Sequence, residues 1–160
     1  RLLHRLRDLG VPIDNIRPTF PHQISVRFKE GVNAESMWFV VADALRQAGL
    51  DLSTVVRSKH SVDVLAANVN KSHLVADIVQ ARKVDPYEVV TMGDQGAWPG
   101  NDASLLEHRY SLSVDQPSRR LDRGWKLAPH QKRDVDATLW YLERTVIDAA
   151  DRSFRFAFSA

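Results

Sequence analysis

The residues best suited to chemistry lie in one glycine-rich stretch, Thr91-Met-Gly-Asp-Gln-Gly-Ala-Trp-Pro-Gly-Asn-Asp102, with two carboxylates, Asp94 and Asp102, and the carboxamide of Asn101. Gly93, Gly96 and Gly100 let the backbone turn tightly enough to return both carboxylates to one point. Carboxylates held close repel one another unless a cation sits between them, so the spacing points to a hard divalent ion such as Mg²⁺. A second reading of the same residues is a sharp strand-to-helix connection. In it Asp94 satisfies local amides, and Asn101 or Asp102 caps a helix beginning near Ala103. The chain has no cysteine, which excludes thiolate ligands and disulfides. Its histidines, His4, His22, His60, His73, His108 and His130, show no HExxH spacing, so zinc chemistry is disfavoured. A nucleophile-elbow serine is also missing.

The elements that must position this stretch follow from hydrophobic periodicity. Glu88 to Met92 is a nearly continuous apolar, β-branched run of the kind buried in parallel sheets, and it leads straight into Gly93-Asp94. Ligands of open α/β sheets bind at that carboxyl end. Before it, Lys71 to Arg82 reads as a helix with Leu74, Val75, Ile78 and Val79 on one side, and Asp85-Pro86 marks a turn. After it come a short helix from about Ala103 to His108, a strand from Tyr110 to Val114, a polar loop and a helix from about Val135 to Ile147. Strands alternating with helices imply a parallel α/β sheet over residues 67–160.

The first 66 residues read differently. Ile24 to Phe28 alternates as a half-buried strand, and Asn33 caps a helix from Ala34 to Ala48. That helix carries Met37, Val40, Val41, Ala44 and Leu45 on one face and ends at a C-cap glycine, Gly49. Thr54 to Arg57 and Ser61 to Ala66 form two strands about the turn Ser58-Lys59-His60. Residues 1–66 are thus a small α+β unit. The opening LLHRLRDLG has helical spacing and stops at Gly10 and Pro12; a helix already under way at residue 1 leads to the expectation that the native chain begins earlier.

A length of 160 residues accommodates one ordinary domain or parts of two. The net charge of +2 suits anionic ligands without singling out nucleic acid. Trp125 and His130 lie among the basic residues from Arg119 to Arg133, an arrangement able to stack bases and contact phosphates, but Asp115, Asp122 and Asp134 dilute it. Nucleic-acid binding is therefore the weaker reading. No apolar run approaches the roughly 20 residues of a membrane-spanning helix, and the opening lacks signal-peptide features. The expectation is a cytoplasmic protein that does not enter a membrane.

GDQGAWPGND resembles the fourth motif of haloacid dehalogenase phosphatases, GDxxxD or GDSGND, and with its longer insert is similar to the GD-x-T-x-P-G-G-N-D form of phosphomannomutases. Lys71, in NVNKSHLVADI, stands where that superfamily places a lysine near the start of the preceding helix. Residues 1–66 look like the end of the α/β cap of sucrose-phosphate phosphatases and Cof-like hydrolases. The resemblance implies the carboxyl-terminal part of a Rossmann-like α/β core with a parallel sheet, preceded by part of a small α+β cap. It also implies a Mg²⁺-dependent hydrolase of small phosphorylated substrates, by default sugar phosphates, acting through an aspartyl-phosphate intermediate. In that reading Asp94 and Asp102 hold the metal and serve catalysis, and Lys71 neutralises phosphoryl charge. Asn101 and Gly93 orient the loop, while Arg57, Ser58, Lys59 and His60 grip substrate from the cap.

The superfamily's nucleophile, the first aspartate of a DxDGT motif after an apolar strand, does not precede Lys71. The one similar string is DVDAT, Asp134 to Thr138. PHQKR precedes it and an amphipathic helix follows, so Asp134 reads as a helix cap unless the chain is circularly permuted with a strand there. The nucleophile is accordingly expected in another segment of the same protein, and these 160 residues alone are expected to be inactive.

Overall fold

The computed structural model describes residues 2–20, 22–151 and 153–158. They form two compact units, one of Arg1–Asn70 with Pro99–Asn101 and the other of Lys71–Trp98 with Asp102–Ala160.

The first unit comprises α1 (Leu2–Asp8), β1 (Ile13–Phe20), β2 (Gln23–Phe28), α2 (Ala34–Arg46), β3 (Val55–Arg57) and β4 (Ser61–Leu65). Its four strands make an antiparallel sheet in the order β1-β2-β4-β3. Alternation along β2 buries Val26 and Phe28 and leaves Arg27 exposed, and the buried side chains meet Leu6 of α1 and Val41 and Leu45 of α2. Asn33 starts α2 by accepting the Glu35 amide at 2.8 Å. At its far end Gly49, with φ of 80°, donates to Arg46 O while Leu50 donates to Leu45 O, the Schellman arrangement that satisfies terminal carbonyls. Strand β1 has no counterpart in the sequence reading: IDNIRPTF lacks clean alternation and contains Pro18. An edge position, where one side of the strand needs no partner, accommodates that proline. Pro99–Asn101 lies along β3, with Arg57 N–H donating to Pro99 O and Asn101 N–H to Arg57 O, each at 2.8 Å.

The second unit comprises α3 (Ser72–Arg82), β5 (Thr91–Gln95), β6 (Ser111–Gln116), α4 (Asp134–Glu143), β7 (Thr145–Asp148) and β8 (Ser153–Phe156). β5 and β6 are parallel, as the pattern implied, and Trp125 extends the ladder beyond β6 by accepting the Ser113 amide. Leu112, Val114, Ala128, Ala137 and Tyr141 form the core. The Tyr141 hydroxyl accepts the amides of Leu127 and Ala128 and donates to Ser113 O, tying α4 to β6 and to the segment after Trp125.

Several sequence expectations are corrected in this unit. The strand begins at Thr91 rather than Glu88, because Asp85 and Glu88 close a capping box around a 3-10 turn over Pro86–Glu88. Gly93 and Asp94 are therefore strand residues, not loop residues. The expected helix at 103–108 is a run of turns, since the Asp102 carboxylate bonds backward to Asp94 and Gln95 instead of capping forward. The last helix stops at Glu143, and Thr145–Asp148, rich in β-branched residues, pairs with β8 as a hairpin. Asp134 opens α4 with φ of 52°, and β6 ends at Gln116, so no strand leads into DVDAT and the permuted nucleophile loses its support. The apolar side of α3 stays open, with Leu74 and Ile78 54% and 41% exposed. Among the described residues no helix is long and apolar enough to cross a membrane.

Candidate active site

Three sequence-selected residues meet within the second unit. Asp94 is the penultimate residue of β5, at its carboxyl end. Its amide donates to Asp102 Oδ2 at 2.7 Å, and the Gln95 amide reaches the same oxygen at 3.3 Å. The other carboxylate oxygen of Asp102, Oδ1, accepts the Lys71 ammonium at 2.5 Å. Lys71 occupies the N-cap position of α3 without capping it, which leaves its side chain for this contact. A single buried carboxylate, 4% exposed, thus binds the strand end and the lysine together.

Gly93 makes this closeness possible. A Cβ there would lie 2.7 Å from Asp102 Cβ and 2.8 Å from its Oδ2, nearer than side-chain atoms approach one another. Burial pushes the Asp102 carboxyl up, yet the hydrogen bond from Lys71 and those from Asp94 outweigh it, and the net shift is below the ordinary carboxylate range. Asp102 is therefore an anion at neutral pH and holds the Lys71 side chain in place. Gln95, not singled out from sequence, is 1% exposed and lines the same strand end. The alternation Thr91, Gly93, Gln95 on the buried side of β5 was the signal for it.

The remaining sequence candidates lie in the first unit. Asn101 is held by its amide on Arg57 O, and its side-chain oxygen is buried without a hydrogen-bond partner among the described residues. Arg57, expected to present a cation with the turn, is instead buried in β3 at 4% exposure, 3.4 Å from Glu35. Ser58, Lys59 and His60 do form the turn, with Ser58 Oγ accepting the amides of His60 and Ser61.

Among the described residues no three histidine or carboxylate groups converge as a ready-made metal cage. The donors present still fit Mg²⁺, which takes hard oxygen ligands, keeps several waters and needs only one or two carboxylates. Both Asp102 oxygens are engaged by Lys71 and the β5 amides, and Asp94 beside it is the second carboxylate of this donor set.

Residues 17–135 match the family model of sucrose-6F-phosphate phosphohydrolase, a span that includes Lys71, Asp94 and Asp102. The chain belongs to that family. It is a member of the haloacid dehalogenase superfamily, whose fold it shares in part. The amino-terminally truncated, IMP-bound IMP-nucleotidase of Plasmodium falciparum is similar over 72% of this chain and 31% of its own, at 15% identity and a TM-score of 0.50. The sucrose-phosphatase of Synechocystis, solved with sucrose and phosphate, is similar over 89% of this chain and 51% of its own, at 18% identity and a TM-score of 0.48. The chain thus spans between about a third and a half of these relatives. No curated protein sequence matches it significantly.

Proposed function

We propose that this sucrose-6F-phosphate phosphohydrolase family member supplies the lysine and metal-binding half of a Mg²⁺-dependent phosphomonoesterase acting on a small phosphorylated metabolite, with a sugar phosphate as the favoured class. The observation that carries this reading is the Lys71–Asp102–Asp94 linkage at the carboxyl end of a parallel strand. Asp94 is the direct Mg²⁺ ligand, and the ion when bound supplies charge neutralisation to the phosphoryl oxygens. The Lys71 ammonium, oriented by Asp102, offers a fixed cation to the same oxygens as charge builds on them. Asp102 acts through Lys71 and through the β5 amides, holding both in place before substrate arrives. Gly93 shapes the strand end, and the first unit is the later part of a cap whose Ser58, Lys59 and His60 serve substrate recognition.

The nucleophilic aspartate belongs to another segment of the same protein, because no strand-borne DxD motif occurs among the described residues. We place the protein in the cytoplasm as part of this proposal. Phosphomonoester hydrolysis with Mg²⁺ tests the assignment. The 160-residue chain alone should be inactive, and a protein that also carries the nucleophile segment should turn over sugar phosphates and lose about a thousandfold or more with Asp94→Asn or Lys71→Ala. Turnover by the isolated chain would overturn the placement of the nucleophile, and full activity of Asp94→Asn would overturn the site.

A further inference from the structure

The carboxyl end of the parallel ladder holds a second acid–base pair that the reading above leaves unused. Gln95 of β5 pairs with Gln116 of β6, so the residues just before them, Asp94 and Asp115, stand side by side on neighbouring strands. The register slips between Gly93 and Gln95, which sets Val114 and Asp115 together opposite Asp94. Adjacent strands are about 5 Å apart, so Asp115 stands on the strand next to Asp94 at the same end of the ladder. Its ion-pair partner is Arg133, whose guanidinium lies 3.6 Å from Asp115 Oδ1. Asp115 is largely buried, its side chain 10% exposed, whereas the side chain of Arg133 is 57% exposed. The carboxylate thus stands at ion-pair distance from one guanidinium nitrogen of a side chain that is otherwise largely exposed. A planar, permanently charged fork of this kind matches two oxygens of a phosphate.

We propose that Arg133, held by Asp115, is a second phosphate-contacting cation on the β6 side of the site, opposite in the ladder to the β5 side served by Lys71. The proposal rests on the phosphatase reading above. It gives the strand end two cations of different kinds: a compact ammonium anchored by Asp102 and a forked guanidinium anchored by Asp115. Lys126 strengthens the positive field, since its ammonium is tethered to the carbonyls of Ala128 and Pro129 on the segment leading to Arg133.

Calorimetric titration of the 160-residue chain with inorganic phosphate in the presence of Mg²⁺ provides the test. Arg133→Ala should weaken phosphate binding about tenfold, and Arg133→Lys should restore part of it, as a phosphate contact requires. Asp115→Ala should weaken binding in the parent but add nothing in the Arg133→Ala background, because its effect passes through the arginine. Thermal melting checks each variant for folding, and Arg133→Gln replaces Arg133→Ala if the latter melts early. Unchanged affinity in Arg133→Ala alongside weakened affinity in Lys71→Ala would overturn this inference and leave the phosphatase reading standing. A parent chain that binds no phosphate would overturn both.

Discussion

The two units bury themselves in different ways. In the first, Leu6, Val26, Val41, Leu45, Val55 and Val62 are sealed between helices and sheet, and β2 and β3 alternate in burial. The second has a thinner core whose largest buried side chain, Tyr141, is anchored by directed hydrogen bonds. It leaves Leu74, Leu139, Leu142 and Ile147 open, Ile147 at 77% exposure. One of its two parallel strands, β5, carries glycine, aspartate and glutamine where a packing strand would carry valine or isoleucine. The first unit is stabilised by undirected aliphatic contact, whereas the second depends on polar groups held at defined positions. The proposed site lies in the unit that packs less well.

That contrast can be broken or sharpened by substitution. Leu45→Ala, in the sealed core, should destabilise the first unit by about 3 kcal/mol, read as a lower urea midpoint with the slope unchanged. A loss under 1 kcal/mol would show that core to be looser than its burial indicates. Tyr141→Phe removes only an oxygen, yet strands the amides of Leu127 and Ala128, so about 2 kcal/mol should be lost from the second unit. A neutral outcome would remove the distinction between the units. Gly93→Ala forces a methyl against Asp102 and should cost about 1.5 kcal/mol while weakening the hold on Lys71; an undisturbed Lys71–Asp102 contact in a structure of the variant would contradict this. Smallest is Asp134→Gly, which relieves the left-handed backbone at the start of α4 and should raise stability by about 1 kcal/mol, seen as a higher melting temperature.

The same contrast explains what the sequence made legible. The helix α2 with its Asn33 cap and Gly49 stop, the strands β2 and β4, and the turn between β3 and β4 were readable because apolar period and capping agree there. Strand β1 was hidden, since its pairing with β2 and its edge position, not its own pattern, hold Pro18 in a sheet. In the second unit the convergence of Asp94 and Asp102 is foreshadowed by their spacing and the part of Lys71 by the family resemblance, but the direction of the Asp102 side chain is not. A carboxylate near a helix start ordinarily bonds forward. Here the lysine and two strand amides compete for it and win, so the helix expected after Ala103 gives way to turns. The β7–β8 hairpin escaped notice because Thr145 to Ile147 continues the apolar spacing of α4, while the pairing that makes it a strand lies with Ser153–Phe156. Arg57 ends its strand as the pattern implies, but its burial beside Glu35 instead of at the turn is set by packing that the local sequence does not encode.

The central claim is that Asp94 receives the metal while Asp102 holds the lysine and strand in place. Calorimetric titration of the 160-residue chain with Mg²⁺ tests it most directly, comparing the parent with Asp94→Asn and Lys71→Ala at constant ionic strength. The account predicts that Asp94→Asn abolishes Mg²⁺ binding with the fold intact by circular dichroism, whereas Lys71→Ala retains it. Mg²⁺ affinity equal in the parent and in Asp94→Asn would contradict the account.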